Sequence, residues 1–142
     1  MKQLTHVMQF RGRAEPDGDR LAASSCVFVT TAGPEGVASS RFESGEEIAI
    51  FTSRVTTTGS TTFVESGTIC FGDTPHNLRF TTLGQGHLEQ SVDPRLKHGS
   101  VVFRIEGGEG RFSKASGLIT SNFTENDNGE VIDNHFATIF VV

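Results

Sequence analysis

Turn signals recur at short intervals along the chain and cut it into short segments. Pro16-Asp17-Gly18-Asp19, Gly33-Pro34-Glu35-Gly36 and Gly72-Asp73-Thr74-Pro75 each combine proline, which fixes φ, with glycine, which adopts positive φ. In Asn126-Asp127-Asn128-Gly129 the Asn-Gly pair predicts a type I′ hairpin turn with positive φ at both central residues. No long window shows a helical period. The spacing therefore predicts an all-β chain of hairpins.

The segments between these turns have the composition of strands. We predict strands at 4–14, 21–31, 37–43, 47–51, 56–66, 67–71, 78–89, 100–106, 118–125 and 130–141. Only 93–99 fits a helical turn, and Gly84 and Gly86 mark a bend inside one strand. An open sheet of this size would leave two edges free to pair with other chains. We therefore predict a single domain over residues 1–142, a closed antiparallel β-barrel of about eight strands whose first and last strands meet.

Composition and charge exclude several classes of function. The 12 aromatic residues are all Phe, which suits a dry interior. A net charge of −5 argues against nucleic-acid binding, which needs a basic surface. No apolar stretch is long enough to span a membrane or to form the core of a signal peptide, so we expect a cytoplasmic protein without a membrane partner.

The stretch from Gly107 to Gly117 is the most distinctive in the chain. It has the form Gly-Gly-x-Gly-x-Phe-x-x-Ala-x-Gly between two predicted strands. Its glycines permit a tight turn, after which Phe112 can plug the barrel end. This form resembles the penultimate connection of the allene oxide cyclase and dirigent barrels, and small bacterial proteins of that class carry similar segments. The match extends over 101–141.

That resemblance implies an eight-stranded antiparallel barrel with an apolar cavity, assembled as a trimer or dimer. It also implies chemistry without a cofactor, in which the barrel binds a small hydrophobic molecule and directs its ring closure or coupling. No catalytic motif of the plant cyclase matches residues of this chain, so the candidate residues come from strand parity alone.

The last strand supplies most of the candidates. If its Phe-bearing face points inward, Asn134 is a candidate catalytic residue, and Phe136, Thr138 and Phe140 are candidate substrate-binding residues. Asn122 joins them if the face of the preceding strand that carries Leu118 and Thr120 also points inward. The alternative for the two asparagines is a structural hydrogen bond within the barrel. His135 lies on the opposite face and is expected to be exposed or in a subunit contact.

Three further candidates come from earlier strands. Phe103 shares a face with Val101 and Ile105 and is a candidate substrate-binding residue. Glu65 and Arg41 are candidate catalytic residues, because a buried, paired carboxylate can polarise or deprotonate a substrate. The alternative is that both are ordinary surface charges.

The sequence lacks the motifs of metal sites, phosphate-binding loops and serine hydrolases. The five histidines lie on different segments, without metal-binding spacing, so we predict no metal. The Gly107–Gly110 cluster lacks the Gly-Lys-Ser/Thr ending of a phosphate loop, and no serine-hydrolase elbow is present. We therefore predict no cofactor.

Three hypotheses for function remain. The first is a cofactor-independent isomerase or cyclase acting on a small hydrophobic metabolite in the barrel cavity. The second is a barrel that binds or carries such a ligand without changing it, and the third is a structural oligomer with a filled barrel. A cavity inside the barrel of about 300 Å³ or more, lined by Phe with two or three convergent polar groups, would support the first two, whereas a solid core would exclude both.

Overall fold

Nine antiparallel strands and one short 3-10 turn make up the fold in the part of the chain whose backbone is described. The computed structural model describes the backbone of residues 1–34, 36–72 and 74–142, and the side chains of residues 1–21, 34, 49–72 and 74–142. The strands are β1 (Lys2–Ala14), β2 (Asp19–Gly33), β3 (Gly36–Thr57), β4 (Thr62–Phe71), β5 (Asn77–Thr82), β6 (Gly86–Gln90), β7 (Leu96–Glu109), β8 (Ser116–Asn126) and β9 (Glu130–Val141), with the 3-10 turn at Gly110–Phe112.

The strands close into a barrel of eight positions, as predicted. Neighbours follow the order β3-β2-β1-β9-β8-β7-β5-β4, and β3 pairs with β4 to complete the ring. The first and last strands meet along almost their whole length, from Lys2 opposite Val141 to Arg13 opposite Glu130. Strand β6 pairs with β4 and β7 beyond the end of β5, so β5 and β6 share one position in the ring.

Several strand boundaries differ from the predicted ones. The segments 37–43 and 47–51 belong to one strand, β3, and β4 begins at Thr62 and continues through the predicted boundary at 66–67. The predicted helical turn at 93–99 is wrong, because β7 begins at Leu96. The predicted strand 78–89 is broken near Gly84, whose φ of +76° turns the chain between β5 and β6. Pairing with neighbouring strands thus overrides local turn composition.

The last hairpin has the predicted position but another turn type. The N–H of Gly129 donates to the carbonyl of Asn126 (3.0 Å), and Gly129 has a φ of +78°. Among the described residues only glycines have positive φ, so Asn128 does not, and a type I′ turn is wrong. The loop is a turn from Asn126 to Gly129 closed by a left-handed glycine. Asn126 Oδ1 accepts from the N–H groups of Asn128 and Glu130, which stabilises it.

Four phenylalanine rings fill the described interior of the barrel. Phe10, Phe51, Phe80 and Phe103 come from β1, β3, β5 and β7 and are almost fully buried. Ring centroids lie 4.4 Å apart for Phe80 and Phe103 and 5.2 Å apart for Phe51 and Phe80. The predicted Phe-lined cavity is therefore not found among the described residues, because these rings pack against one another.

Phe112 closes one end of the barrel, as predicted. It lies in the 3-10 turn, is buried, and packs on Phe71 with ring centroids 5.3 Å apart. In the part of the chain that the structure describes, no helix is long and apolar enough to cross a membrane.

Candidate functional site

The inner face of β9 is the face that was predicted to point outward. Its inward side chains are Val131, Asp133, His135, Ala137, Ile139 and Val141, all of them buried. The predicted exposure of His135 is wrong, since only 2% of its surface is accessible. Register carries this face onto β8, where Ser121 lies opposite His135 and Phe123 opposite Asp133.

The predicted inward positions of Asn122, Asn134, Phe136, Thr138 and Phe140 are consequently wrong. Asn134 is exposed on the outer face and accepts a hydrogen bond at Oδ1 from Gln9 Nε2 (2.9 Å), while Phe136 is 48% exposed. The prediction relied on Phe as an inward marker. The described interior takes its rings from β1, β3, β4, β5, β7 and β8 instead, and β9 contributes smaller and polar side chains there.

Asp133 connects two neighbouring side chains inside the barrel. Its Oδ1 accepts a hydrogen bond from Ser121 Oγ at 2.6 Å, and its Oδ2 lies 2.9 Å from His135 Nε2. A carboxylate at this distance favours the tautomer that carries the proton on Nε2. Asp133 therefore fixes the orientation of the imidazole and directs the lone pair of Nδ1 away from itself.

The other ring nitrogen of His135 faces apolar surroundings. Nδ1 is buried and has no hydrogen-bond partner among the described residues. Phe10, Phe51 and Phe103 surround the imidazole edge-on or tilted, with centroids 4.9, 5.3 and 6.0 Å away. An unpaired buried polar atom costs about 1–3 kcal/mol, so this arrangement is unfavourable for stability alone.

Glu65 lies inside the barrel, so of the two alternatives for this residue the buried carboxylate is observed and the surface charge is not. It is 4% exposed, and its Oε2 accepts a hydrogen bond from Ser53 Oγ at 2.5 Å. The hydroxyl of Thr82 accepts from the Glu65 N–H (2.7 Å) and donates to the Glu65 carbonyl (2.9 Å), which fixes the backbone at this point. Burial raises the pKa of the Glu65 carboxyl, and Asp133 raises it further, against the opposing effects of Arg20, Ser53 and His135.

Arg20 is the buried cation of the site. Its guanidinium carbon lies 4.7 Å from the ring centroid of Phe123 and 5.9 Å from that of Phe63. Nη2 is 3.8 Å from Glu125 Oε2. Stacking on two rings provides a cation–π attraction in place of water. Arg41, the predicted partner of Glu65, lies outside the described side chains.

The two groups of polar side chains come from opposite walls of the barrel. Strands β4 and β9 are four positions apart in either direction around the eight-membered ring. Glu65 on β4 therefore faces the Asp133–His135 pair on β9. We call this set the interior network, and its members are Arg20, Ser53, Glu65, Ser121, Asp133 and His135, all less than a tenth exposed.

Two adjoining grooves lie against the part of the barrel wall that carries Arg20, Ser53 and Glu65. The larger, here called the β4 groove, has a volume of about 630 Å³ and a mostly apolar surface. It is lined by Gly12, Arg13, Glu15, Asp19, Arg20, Leu21, Thr52, Ser53, Arg54, Ser66, Gly67 and Thr68. The smaller, of about 200 Å³, shares Arg54 and Ser66 with it and includes Glu65 in its lining. The three network residues are less than a tenth exposed, so the barrel wall separates most of each side chain from these grooves.

A third groove lies on the outer face of β6, β7, β8 and β9. Its volume is about 520 Å³, and we call it the polar groove. It is lined by His87, Glu89, His98, Gly99, Ser100, Asn122, Phe123, Thr124 and Asn134. Asn122 and Asn134, which were predicted inside the barrel, are therefore together, but on the outside.

The interior network was mostly missed by sequence reasoning. Glu65 and Phe103 were identified as candidates, whereas Asp133, His135, Ser121, Ser53 and Arg20 were not. A usable signal lay in β8, where the alternation Ile119, Ser121, Phe123 competes with Leu118, Thr120, Asn122. If the more apolar face of β8 is placed inside the barrel, the hairpin register predicts that Asp133 and His135 also point inward, because they pair with Phe123 and Ser121.

The site shows no metal geometry in the described part of the chain, where no three His, Cys, Asp or Glu side chains are placed to hold an ion. Comparisons of the chain with protein-family models, curated proteins and solved structures found no match.

Proposed function

We propose that this protein is a cofactor-independent isomerase or cyclase that acts on a small hydrophobic molecule by proton transfer at Glu65. The observation that carries the proposal is the interior network itself. A buried carboxyl with a raised pKa lies opposite an Asp–His pair whose free nitrogen has no described partner. Such groups are unfavourable for stability, and perturbed titration in a buried site is typical of catalytic centres.

The β4 groove and the adjoining small groove supply a binding place next to this network. A hydrophobic molecule in the larger groove would contact apolar surface and lie against the wall that carries Arg20, Ser53 and Glu65. A local opening of that wall would bring the molecule to the Glu65 carboxyl, which is buried in the closed barrel. Glu65 in its ionised form would take a proton from a carbon next to an unsaturated carbonyl. It would then return that proton to another carbon, so that the double bond moves and no atom is gained or lost.

The remaining members would position and tune this base. The raised pKa makes ionised Glu65 a stronger base than an exposed carboxylate. Among the described residues, Arg20 acts on the Glu65 carboxyl through its positive charge and would stabilise a developing oxyanion. Asp133 and His135 act electrostatically on Glu65 across the barrel interior. Asp133 raises the pKa of the Glu65 carboxyl, and His135 lowers it.

The test uses an unconjugated cyclohexenone as probe, because its conversion to the conjugated isomer is followed by ultraviolet absorbance. The wild type should accelerate the conversion, and Glu65→Gln should reduce the rate about 100-fold or more. Glu106→Gln, an exposed carboxylate on β7, is the matched control and should retain the rate. Equal rates for Glu65→Gln and the wild type would overturn the assignment of Glu65.

A second candidate function is binding without chemistry. The volume and apolar surface of the β4 groove favour it, because both fit a small hydrophobic ligand. Native mass spectrometry of the purified protein would detect a retained ligand. Retention together with no turnover of the probe would favour a carrier, and Glu65→Gln would then shift affinity alone. The packed phenylalanine rings support the third candidate, a structural barrel, which predicts neither retention nor turnover.

Assembly into a homo-oligomer belongs to the same proposal. Leu118 and Phe136 are large, exposed apolar side chains on the outer faces of β8 and β9, and they lie on adjacent strands. Native mass spectrometry gives the subunit number. A dimer or trimer that dissociates in Phe136→Ser would support this interface, and a monomeric wild type would remove it. The resemblance to the allene oxide cyclase and dirigent barrels stays a prediction.

A further inference from the structure

We propose that the polar groove binds a neutral polyhydroxylated ligand of the size of a mono- or disaccharide. The inference is independent of the proposed function, because no member of the interior network lines this groove. It begins from a row of polar side chains in register across four neighbouring strands. His87 lies opposite Ser100, Ser100 opposite Asn122, and Asn122 opposite Asn134. At about 4.8 Å per strand the row is about 14 Å long.

The chemistry of the lining fits hydroxyl groups better than ions. Carboxamides and hydroxyls both donate and accept hydrogen bonds, and the imidazole nitrogens of His87 and His98 add further polar groups. The lining contains Glu89 but no Lys or Arg, so it has no guanidinium or ammonium group that would hold an anion. A polyol presents alternating donors and acceptors at the spacing of neighbouring hydroxyls, which such a lining can pair with.

Asn134 is held in one orientation by the next strand. Gln9 Nε2 donates to Asn134 Oδ1 at 2.9 Å, and Arg11 Nε donates to Gln9 Oε1 at 3.1 Å. The amide nitrogen of Asn134 retains only a long contact with the Asn122 carbonyl, at 3.5 Å. Its N–H groups are thus oriented before a ligand arrives, which reduces the entropy lost on binding.

Phe123 adds little apolar surface to the groove. It is among the lining residues but only 3% exposed, because its ring packs inside the barrel against Gly99, where a Cβ would overlap it. The groove therefore offers a ligand hydrogen-bonding groups, which fit a polyol better than an apolar metabolite.

Nuclear magnetic resonance titration of the full chain tests the proposal with five probes. These are the methyl glycosides of glucose, galactose, mannose and N-acetylglucosamine, and maltose. At least one should bind with a Kd of about 1 mM and shift the side-chain amide signals of Asn122 and Asn134. Asn134→Ala should weaken that binding about tenfold or more. Asn134→Asp, which keeps the shape, should also weaken it, since the carboxylate loses both N–H donors.

The control is Ser116→Ala, which changes an exposed side chain on β8 outside the groove and should bind as the wild type does. Backbone spectra of each variant show that the fold is retained. The proposal is overturned if no probe shifts these amide signals, if the shifts map to another face, or if Asn134→Ala binds like the wild type. Failure here would leave turnover at Glu65 unaffected, because the two sites share no residue.

Discussion

Each face of β9 carries residues that the opposite face would normally hold. The inner face is mostly apolar but buries Asp133 and His135, whereas the outer face leaves Phe136 half exposed. A hydrophobic side chain is normally the one buried, because burial of apolar area stabilises the fold while burial of charge costs free energy. Asp133 and His135 are buried with hydrogen-bond partners at 2.6 and 2.9 Å. The comparison shows that polarity alone does not decide which β9 side chains point into the barrel.

The largest expected effect comes from truncating a phenylalanine on the inner face of the barrel wall, compared with truncating one on the outer face. Phe103→Ala removes a fully buried ring and should lower the free energy of unfolding by about 3–5 kcal/mol, through lost contacts and a cavity. Phe136→Ala is the matched outer variant and, at a protein concentration at which the chain is monomeric, should change it by less than about 0.5 kcal/mol. Urea denaturation measures both. Similar losses for the two variants would mean that the faces of β9 are wrongly assigned.

Removal of Asp133 tests the inner face directly. Asp133→Ala leaves the Ser121 hydroxyl and the His135 N–H buried without their acceptor, and should cost about 3 kcal/mol of unfolding free energy. Asp127→Ala, in the exposed β8–β9 turn, serves as the control and should cost little. A loss below about 1 kcal/mol for Asp133→Ala would show that water reaches these groups.

Replacing the whole pair separates stability from function. The double variant Asp133→Leu with His135→Phe should lie within about 1 kcal/mol of the wild type, since exchanging a buried polar pair for apolar groups is often neutral or stabilising. Probe turnover should nevertheless fall. A double variant that is as unstable as Asp133→Ala would identify the pair as a structural requirement of the barrel.

The smallest expected effect is a pH dependence. Because the folded-state pKa of Glu65 is raised above its ordinary value of 4.5, its contribution to stability is fully present below pH 4.5. That contribution is lost as the pH rises through the folded-state pKa. The stability of the wild type relative to Glu65→Gln should therefore decline with pH in that window. A difference that stays constant with pH would contradict burial of an ionisable Glu65.

Most of the fold could be predicted from the sequence, because turns depend on local residues and closure of the barrel was inferred from the number of strands. The hairpin at Asn126–Gly129 and the pairing of the first and last strands were predictable in this way. The faces of β9 were not, because a period of two fixes which residues share a face but not which face is inside. Only the register with β8 and β1 settles that point.

The candidate site depended on the same ambiguity. Glu65 was predictable because Phe63 and Glu65 share a face, and Phe63 is buried. Asn134 and His135 lie on the opposite faces to those predicted, and the described phenylalanines that fill the interior come from six other strands and the 3-10 turn. The grooves depend on side chains from four or more strands, which no single segment indicates.

The Glu65 carboxyl lies inside a closed barrel opposite the Asp133–His135 pair, and the proposed function depends on this placement. Carbon-13 resonance of the Glu65 carboxyl, assigned by comparison with Glu65→Gln and followed through a pH titration, measures its pKa directly. The account predicts a midpoint above 4.5, which moves down in Asp133→Asn as the like charge is removed. A midpoint at or below 4.5, unchanged in Asp133→Asn, would contradict it.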